Sequence, residues 1–338
     1  MRARHFLTVA IFLGAACSDN SLLPAYDLTG SALGTTYNIT LVAPPDGIDF
    51  ESLQVLIEDR LDHVDKLAST YRSDSELSRF NAESSTDWVR VLPEFCGMVS
   101  AANDISLMTQ GAFDITVGPL VNLWGFGPQN RESELPTAEE IAAAKAYVGY
   151  QKLATDCDNS VIRKSSANIY VDLSGWAKGY AVDLISTLLD AQNLHNYLIE
   201  IGGELRLKGH NAARNKFSIA IEKPLLNNEM AHEIVKLSDT SVATSGDYRN
   251  FFEEDGRRYS HTIDPRTGYP VNHQLTGVTV VSKQAAYADA VATAFLVLGP
   301  EEGLALAEKL RIAAYFLVRT DRGIEDKSSS QFEQLERE

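Results

Sequence analysis

The clustering of short apolar runs constrains this chain most. Between Asn196 and Val281 they recur at Tyr197–Ile201, Leu205–Lys208, Phe217–Ile221, Ile234–Leu237, Tyr259–Ile263 and Val278–Val281, separated by turn residues. Runs this short, rich in β-branched and aromatic residues, read as strands. Helical spacing lies elsewhere. Leu53, Leu56, Ile57, Leu61, Val64 and Leu67 follow an N-cap at Asp49. Pro93 opens a helix to about Met108, and Thr137 with Glu140 forms a capping box before an Ala-rich helix. Asn168–Leu173 reads as a strand feeding a helix from Ser174 to about Gln192. Helices from Gln284 to Leu298 and near Glu302–Leu310 follow, and Gly34–Ala43 and Ile312–Val318 read as outlying strands. Strands clustered away from helices predict an α+β fold with mixed, mostly antiparallel sheets and packed helices. The polar tail after Asp321 is expected to fray.

A length of 338 residues fits one large or two coupled domains. The chain carries 30 basic and 46 acidic residues, a formal net charge of −16, with no Lys/Arg run. Such a surface repels phosphate backbones, so nucleic acid is excluded as a partner. The N-terminus has the three parts of a secretory signal: Arg2 and Arg4, an apolar stretch from Phe6 to Leu13, and Gly14-Ala15-Ala16 before Cys17. The apolar stretch is too short to cross a bilayer. Its ending resembles a bacterial lipobox in which Cys17 is lipidated, with Leu13 one place early; a plain secretory leader is the alternative. Cys96 and Cys157 then remain, either as one disulfide or as two buried thiols.

Five segments have chemistry-bearing composition. Gly111–Leu120 with Trp124–Pro128 combines glycines, which admit a ligand close to the backbone, with aromatics that stack on flat rings; the plainer reading is a turn-rich packed loop. Asp172–Tyr180 runs from a strand end into a helix, where free N–H groups attract anions and Lys178 adds a point charge. It has no P-loop spacing, and Ser174 as a simple cap with Lys178 in solvent is the alternative. Asp289 and Thr293, four apart on a helix apolar nearly all round, put a carboxylate and a hydroxyl on one face. A carboxylate buried there must be paired, protonated or metal-bound, and oxygen donors of this kind suit Mg²⁺. His261 precedes the Asp264–Gly268 turn, downstream of Thr244–Arg249; an unperturbed imidazole can exchange protons near neutral pH, and a satisfied structural histidine is the plainer reading. Gly202-Gly203-Glu204 reads most simply as a hairpin or bulge.

Taken in order, these segments resemble the ApbE-type FAD:protein FMN transferases of bacterial periplasms. The matching stretches are Gly34–Tyr37, Ser69–Asn81, Gly111–Gly127, Asp172–Asp183, Glu200–Glu204, Ala243–Asn250, Tyr259–Val271 and Ala288–Gly299, covering about residues 30 to 318. The resemblance implies a T-fold-like flavin transferase architecture and a Mg²⁺-dependent reaction. FAD is cleaved at its pyrophosphate, FMN is attached through a phosphoester to a Thr or Ser hydroxyl of a target protein, and AMP leaves. It implies Asp289, Thr293 and a backbone carbonyl, best placed at Gly175, as Mg²⁺ ligands. It places FAD contacts at Leu33, Tyr71, Ala112, Phe113, Asp114, Asp172, Lys178 and Ser260, and the proton acceptor for the attacking hydroxyl at His261. Leu33 stands where the family commonly has Met. Implied targets are subunits of electron-transfer complexes such as sodium-pumping NADH:quinone oxidoreductases.

The resulting organisation is a leader at 1–16, a tether at 17–27, a flavin transferase domain at 28–320 (one unit, or two interleaved subdomains) and a polar tail at 321–338. The expected location is the periplasmic face of the inner membrane, held by the lipid at Cys17. Hydrolysis of FAD to FMN and AMP is the competing enzyme reading, and a periplasmic FAD-binding lipoprotein is the non-enzyme one.

Overall fold

Eight antiparallel strands form the main sheet of the computed structural model, which describes residues 21–128, 135–222, 231–246, 251–254 and 256–337. The leader, Cys17 and Asp247–Arg249 lie outside these residues. In chain order the elements are β1 (Ala25–Ala32), β2 (Thr35–Val42), α1 (Phe50–Ala68), α2 (Glu76–Ala82), β3 (Val89–Arg90), α3 (Pro93–Met108), α4 (Gly118–Leu123), α5 (Ala138–Lys145), β4 (Leu153–Asp156), β5 (Val161–Lys164), α6 (Ser174–Ala191), β6 (Tyr197–Ile201), β7 (Glu204–Lys208), β8 (Phe217–Glu222), β9 (Ala231–Leu237), β10 (Thr240–Gly246), β11 (Phe251–Glu254), β12 (Arg257–Ser260), β13 (Leu275–Ser282), α7 (Ala285–Leu310), β14 (Ala313–Thr320), β15 (Gly323–Ser328) and β16 (Glu336–Arg337).

The main sheet runs β1-β2-β6-β7-β10-β13-β14-β15, and a smaller sheet runs β16-β9-β8. Successive side chains of a strand point to opposite faces, and β13 and β14 are apolar on both. Val278, Val280, Ala314 and Phe316 join the core beneath α7. Val281, Tyr315 and Leu317 instead meet Phe217, Val235 and Leu237 of the smaller sheet. Helices therefore cover one face and the small sheet the other, the α+β architecture that the strand clustering predicts. At the β1–β2 end, Ile39, Leu41, Tyr197 and Ile199 pack on Ile57, Leu61 and Val64 of α1 and on Val182 and Ile185 of α6.

Local signals explain most helix starts. Asp49 accepts from the N–H groups of Glu51 and Ser52 at the head of α1. Thr137 and Glu140 form the full capping box of α5. Pro93 occupies the first turn of α3, where a missing N–H costs nothing. The two helices expected around residues 284–310 adjoin as α7, with a break at Gly299, whose φ of +79° is left-handed, ahead of Pro300.

Three expectations are corrected. Asn168–Leu173 is not a strand: Asn168 lies in a turn, and Leu173 has φ/ψ of −104° and 13°. The Asn81 side chain takes up its ladder positions, accepting from Val171 N at 2.7 Å and donating to Val171 O at 2.8 Å. The strand at this point in the chain is β5, which pairs with β3 and β4. The C-terminal residues do not fray: β15 pairs along β14, β16 pairs with β9, and Phe332 is fully buried. Ser329 Oγ ties this segment down by donating to Ile312 O and accepting from Ala314 N. At the other end, the last three residues of the expected tether already belong to β1. Cys96 and Cys157 form a disulfide with Cα atoms 5.5 Å apart, linking α3 to the residue after β4.

Helices α6 and α7 cross in near-backbone contact. A Cβ at Gly179 would lie 2.4 Å from Ala285 O and 2.7 Å from Ala286 Cα, so only glycine fits. Gly179→Ala is expected to destabilise the protein by about 1–3 kcal/mol through overpacking, read as a lowered denaturation midpoint in chemical unfolding.

Candidate functional site

A cleft of about 820 Å³ opens where the ends of the main sheet meet α6 and α7. Its floor holds three ionisable groups. Lys178, in the first turns of α6, places Nζ 3.1 Å from Glu204 Oε1 and 3.5 Å from Asp289 Oδ2. Asp289 Oδ2 also accepts from Gly179 N at 3.2 Å. Glu204 and Asp289 are 3% exposed, so neither carboxylate is solvated by bulk water. Burial alone would depress the Lys178 ammonium, but Asp289 and Glu204 together hold it above its ordinary range. Burial, reinforced by the Asp289 charge, raises the Glu204 carboxyl against the pull of Lys178. The second oxygen of Glu204, Oε2, is buried with no hydrogen-bond partner. Two acids facing one base inside a protein leave the site able to take further positive charge or a donor.

The Gly202–Gly203 turn explains how Glu204 arrives there. Gly202 has φ +59°, and a Cβ on it would fall 2.8 Å from Thr35 and 3.1 Å from the Lys178 stem. Only glycine lets the β6–β7 turn close over Lys178. Glu200 Oε1 braces the turn by accepting from Gly203 N at 2.7 Å.

The oxygen donors gather around Thr293. Its Oγ1 lies 3.1 Å from Ser245 Oγ on β10. Gly175, just inside α6, has non-helical φ/ψ of −85° and 16°. A Cβ there would stand 3.3 Å from Thr293 Oγ1 and 3.2 Å from the Phe113 ring, so glycine leaves this small space open. Among the described residues no cluster of three His, Cys, Asp or Glu side chains exists. A cation between Asp289, Thr293 and Gly175 would therefore draw on one carboxylate, one hydroxyl and a carbonyl, the hard donors that suit Mg²⁺.

The structure brings most of the sequence-predicted residues to this cleft. Ala112, Phe113, Asp114, Asp172, Gly175, Lys178, His261, Asp289 and Thr293 line it, as does Tyr71, whose ring is 76% exposed at the rim. Leu33 and Ser260 are not among the lining residues. Leu33 sits at φ +53° in the β1–β2 turn against the α1 core, and it is Thr35 and Thr36 that reach the cleft. Ser260 is buried, its Oγ accepting from Thr262 N at 3.2 Å. His261 presents its ring edge-on to Phe126, centroids 6.3 Å apart. Phe126 in turn packs on Phe252, which stacks on Tyr259.

Two of the predicted carboxylates bind backbone N–H groups. Asp114 Oδ1 accepts from Thr116 N and Oγ1, and Oδ2 accepts from Tyr150 N at 2.7 Å. Burial raises its carboxyl against these donors. Asp172 Oδ1 accepts from Ser174 N and Oγ, so Asp172 caps α6 and Ser174 does not. Sequence reasoning passed over Glu204, weighed only as part of a turn, and Ser245. The available signal was a Gly-Gly pair placing an acid at a strand start.

The ApbE family model matches residues 33–316. The FAD:protein FMN transferase of Vibrio cholerae is 45% identical over 305 residues, 90% of this chain and 91% of that protein. Among solved structures, the flavin transferase ApbE from Vibrio cholerae superposes with a TM-score of 0.87 at 42% identity, covering 93% of this chain and 100% of that one. The apo form of Pseudomonas stutzeri flavinyl transferase ApbE gives 0.86 at 43%, covering 94% and 98%.

The buried acid makes stability depend on pH. A carboxyl raised above its ordinary value of 4.5 means that the folded state holds a proton which the unfolded state releases. Stability in metal-free buffer should thus fall as pH rises above that value. Glu204→Gln is expected to flatten this part of the profile, read from denaturant midpoints collected across pH 5 to 8, roughly the window between the two states' titrations.

Proposed function

This chain belongs to the ApbE family, and from that premise we propose that it transfers FMN from FAD to a hydroxyl of a target protein and releases AMP. The observation that carries the reading is one cleft bringing Lys178, Asp289, Thr293 and Gly175 together with His261. Phosphoryl transfer needs charge neutralisation and in-line positioning more than covalent participation. In the reaction the acceptor hydroxyl oxygen bonds to the FMN phosphorus, the bridging P–O bond to AMP breaks, and its electron pair leaves on the AMP phosphate. The hydroxyl proton passes to a ring nitrogen of His261, which the edge-on Phe126 contact orients. Lys178 supplies a permanent positive charge at the pyrophosphate, and Glu204 holds its ammonium in place. Phe113 and the exposed Tyr71 offer ring faces to the flavin or the adenine. Mg²⁺ held by Asp289, Thr293 and the Gly175 carbonyl would neutralise charge on the pyrophosphate and the leaving AMP.

The proposal extends to targets and location. The acceptors are flavin-accepting subunits of electron-transfer complexes, sodium-pumping NADH:quinone oxidoreductases among them. Residues 1–16 are a leader and Cys17 carries a lipid on the periplasmic face of the inner membrane. The Cys96–Cys157 disulfide supports an oxidising compartment.

The test is mass spectrometry of a co-expressed acceptor subunit, together with AMP release from FAD and Mg²⁺. FMN on an acceptor Thr is expected. AMP formed equally without acceptor would favour hydrolysis, and no AMP at all a carrier. His261→Ala should lower transfer by about 10²–10⁴-fold, the usual worth of a general base, with FAD still bound. Asp289→Ala, or chelation with EDTA, should abolish it.

A further inference from the structure

Helix α7 carries Asp289 and Thr293, yet it does not cap itself. Its N-cap residue, Gln284, has extended φ/ψ of −119° and 132° but makes no side-chain capping bond. The first free N–H groups of the helix are taken instead by a residue of α6. Asp183 Oδ1 accepts from Ala285 N at 2.9 Å, and Asp183 Oδ2 accepts from Ala286 N at 3.0 Å. Four residues earlier on α6, Gly179 N donates to Asp289 Oδ2, and Asp289 stands four residues beyond Ala285. The two helices are thus joined by a reciprocal pair of links. An acid on α6 holds the backbone of α7, and an acid on α7 holds the backbone of α6. The glycine at 179 makes the second link reachable, because Ala285 and Ala286 lie where its Cβ would be. Arg206 Nη1 extends the arrangement by donating to Lys283 O at 2.6 Å, fixing the chain as it enters α7.

We propose that Asp183 is a positioning residue for the transfer reaction: by capping α7 from α6 it sets the axial register of the two helices and so the placement of the Asp289 and Thr293 oxygens relative to Gly175 and Lys178. The inference rests on the reading of Asp289 and Thr293 as cation ligands. A cap contributed by the helix's own residue would stabilise α7 equally well but would leave it free to slide along α6. A cap from α6 cannot, since both carboxylate oxygens bind consecutive N–H groups. Register matters because an oxygen donor set binds a divalent cation within a narrow range of distances.

Capping and register are separated by supplying α7 with a local cap. Asp183→Asn replaces one acceptor oxygen by a donor facing an N–H. The double variant Asp183→Asn with Gln284→Ser returns a capping hydroxyl from within α7. Binding is followed with Mn²⁺ alone, from the loss of the free-ion paramagnetic resonance signal on titrating the purified protein, beside the melting temperature. Asp183→Asn is expected to lower the melting temperature and weaken Mn²⁺ binding at least tenfold. The double variant is expected to regain melting temperature while Mn²⁺ binding stays weak. Mn²⁺ affinity within twofold of the parent in either variant would overturn the proposal, because Asp183 would then be a cap and nothing more. Should Asp183→Asn not accumulate, Asp183→Glu retains the charge and both acceptor oxygens but lengthens the link by one methylene, and is judged by the same criterion. Asp289→Asn is the control on the premise. It is expected to lose Mn²⁺ binding, and its retention of parental affinity would mean that the ligand reading has failed, not the positioning role.

Discussion

The molecule depends on burying charge where α6 crosses α7. The buried Glu204 and Asp289 carboxylates sit against the partly exposed Lys178, and groups of this kind persist in an interior only when each is compensated by the others or by hydrogen bonds. The compensation is geometric. Gly179 lets the helices meet backbone to backbone, which brings Asp289 within reach of both an N–H and the Lys178 ammonium. The Gly202 turn lays Glu204 on the other side of the same ammonium. Remove either glycine and the charges lose their partners, although no charged residue has changed.

The main sheet supplies what the helices lack. The β6–β7 turn contributes Glu204 and β10 contributes Ser245 beside Thr293, while the chain beyond β12, in the separate β11–β12 pair, contributes His261. Glu204 and Ser245 lie at the ends of central strands, so this part of the site is built on a doubly covered sheet. That placement answers a difficulty raised by the net charge of −16. An acidic surface disfavours a dinucleotide at long range, but the Lys178 ammonium fixed in the cleft offsets this locally.

How much of this was legible in the sequence follows from the range of each interaction. Caps at Asp49 and Thr137, the Pro93 helix start and the apolar pattern within each strand are set by neighbours within a few residues, and they were readable. The Asp289–Thr293 pair was readable because its four-residue spacing is itself a helical geometry. What escaped depends on distant partners. Asn168–Leu173 has strand-like composition, but the backbone bonds of Val171 go to Asn81, 90 positions away in the chain, and Asp172 N donates to Ile115 O. The polar stretch after Asp321 reads as tail until β14 offers it an edge and Ser329 a docking point. Glu204 looked like a turn residue because nothing in its own segment announces Lys178. The Cys96–Cys157 pairing was open for the same reason.

The treatment of the two loop carboxylates shows what kind of catalyst this is. Asp114 and Asp172 lie in the glycine-bearing loops that line the cleft, where a free carboxylate would repel a pyrophosphate. Asp114 turns both oxygens, and Asp172 its Oδ1, onto N–H and hydroxyl groups. These bonds fix the backbone of the loops that line the cleft. The carboxylates on the cleft floor, Glu204 and Asp289, are instead paired with Lys178, and Asp289 stands one helical turn from Thr293. Acids that build the scaffold and acids that gather positive charge are thus told apart by their hydrogen-bond partners alone. This division suits a reaction whose demands are placement and electrostatics.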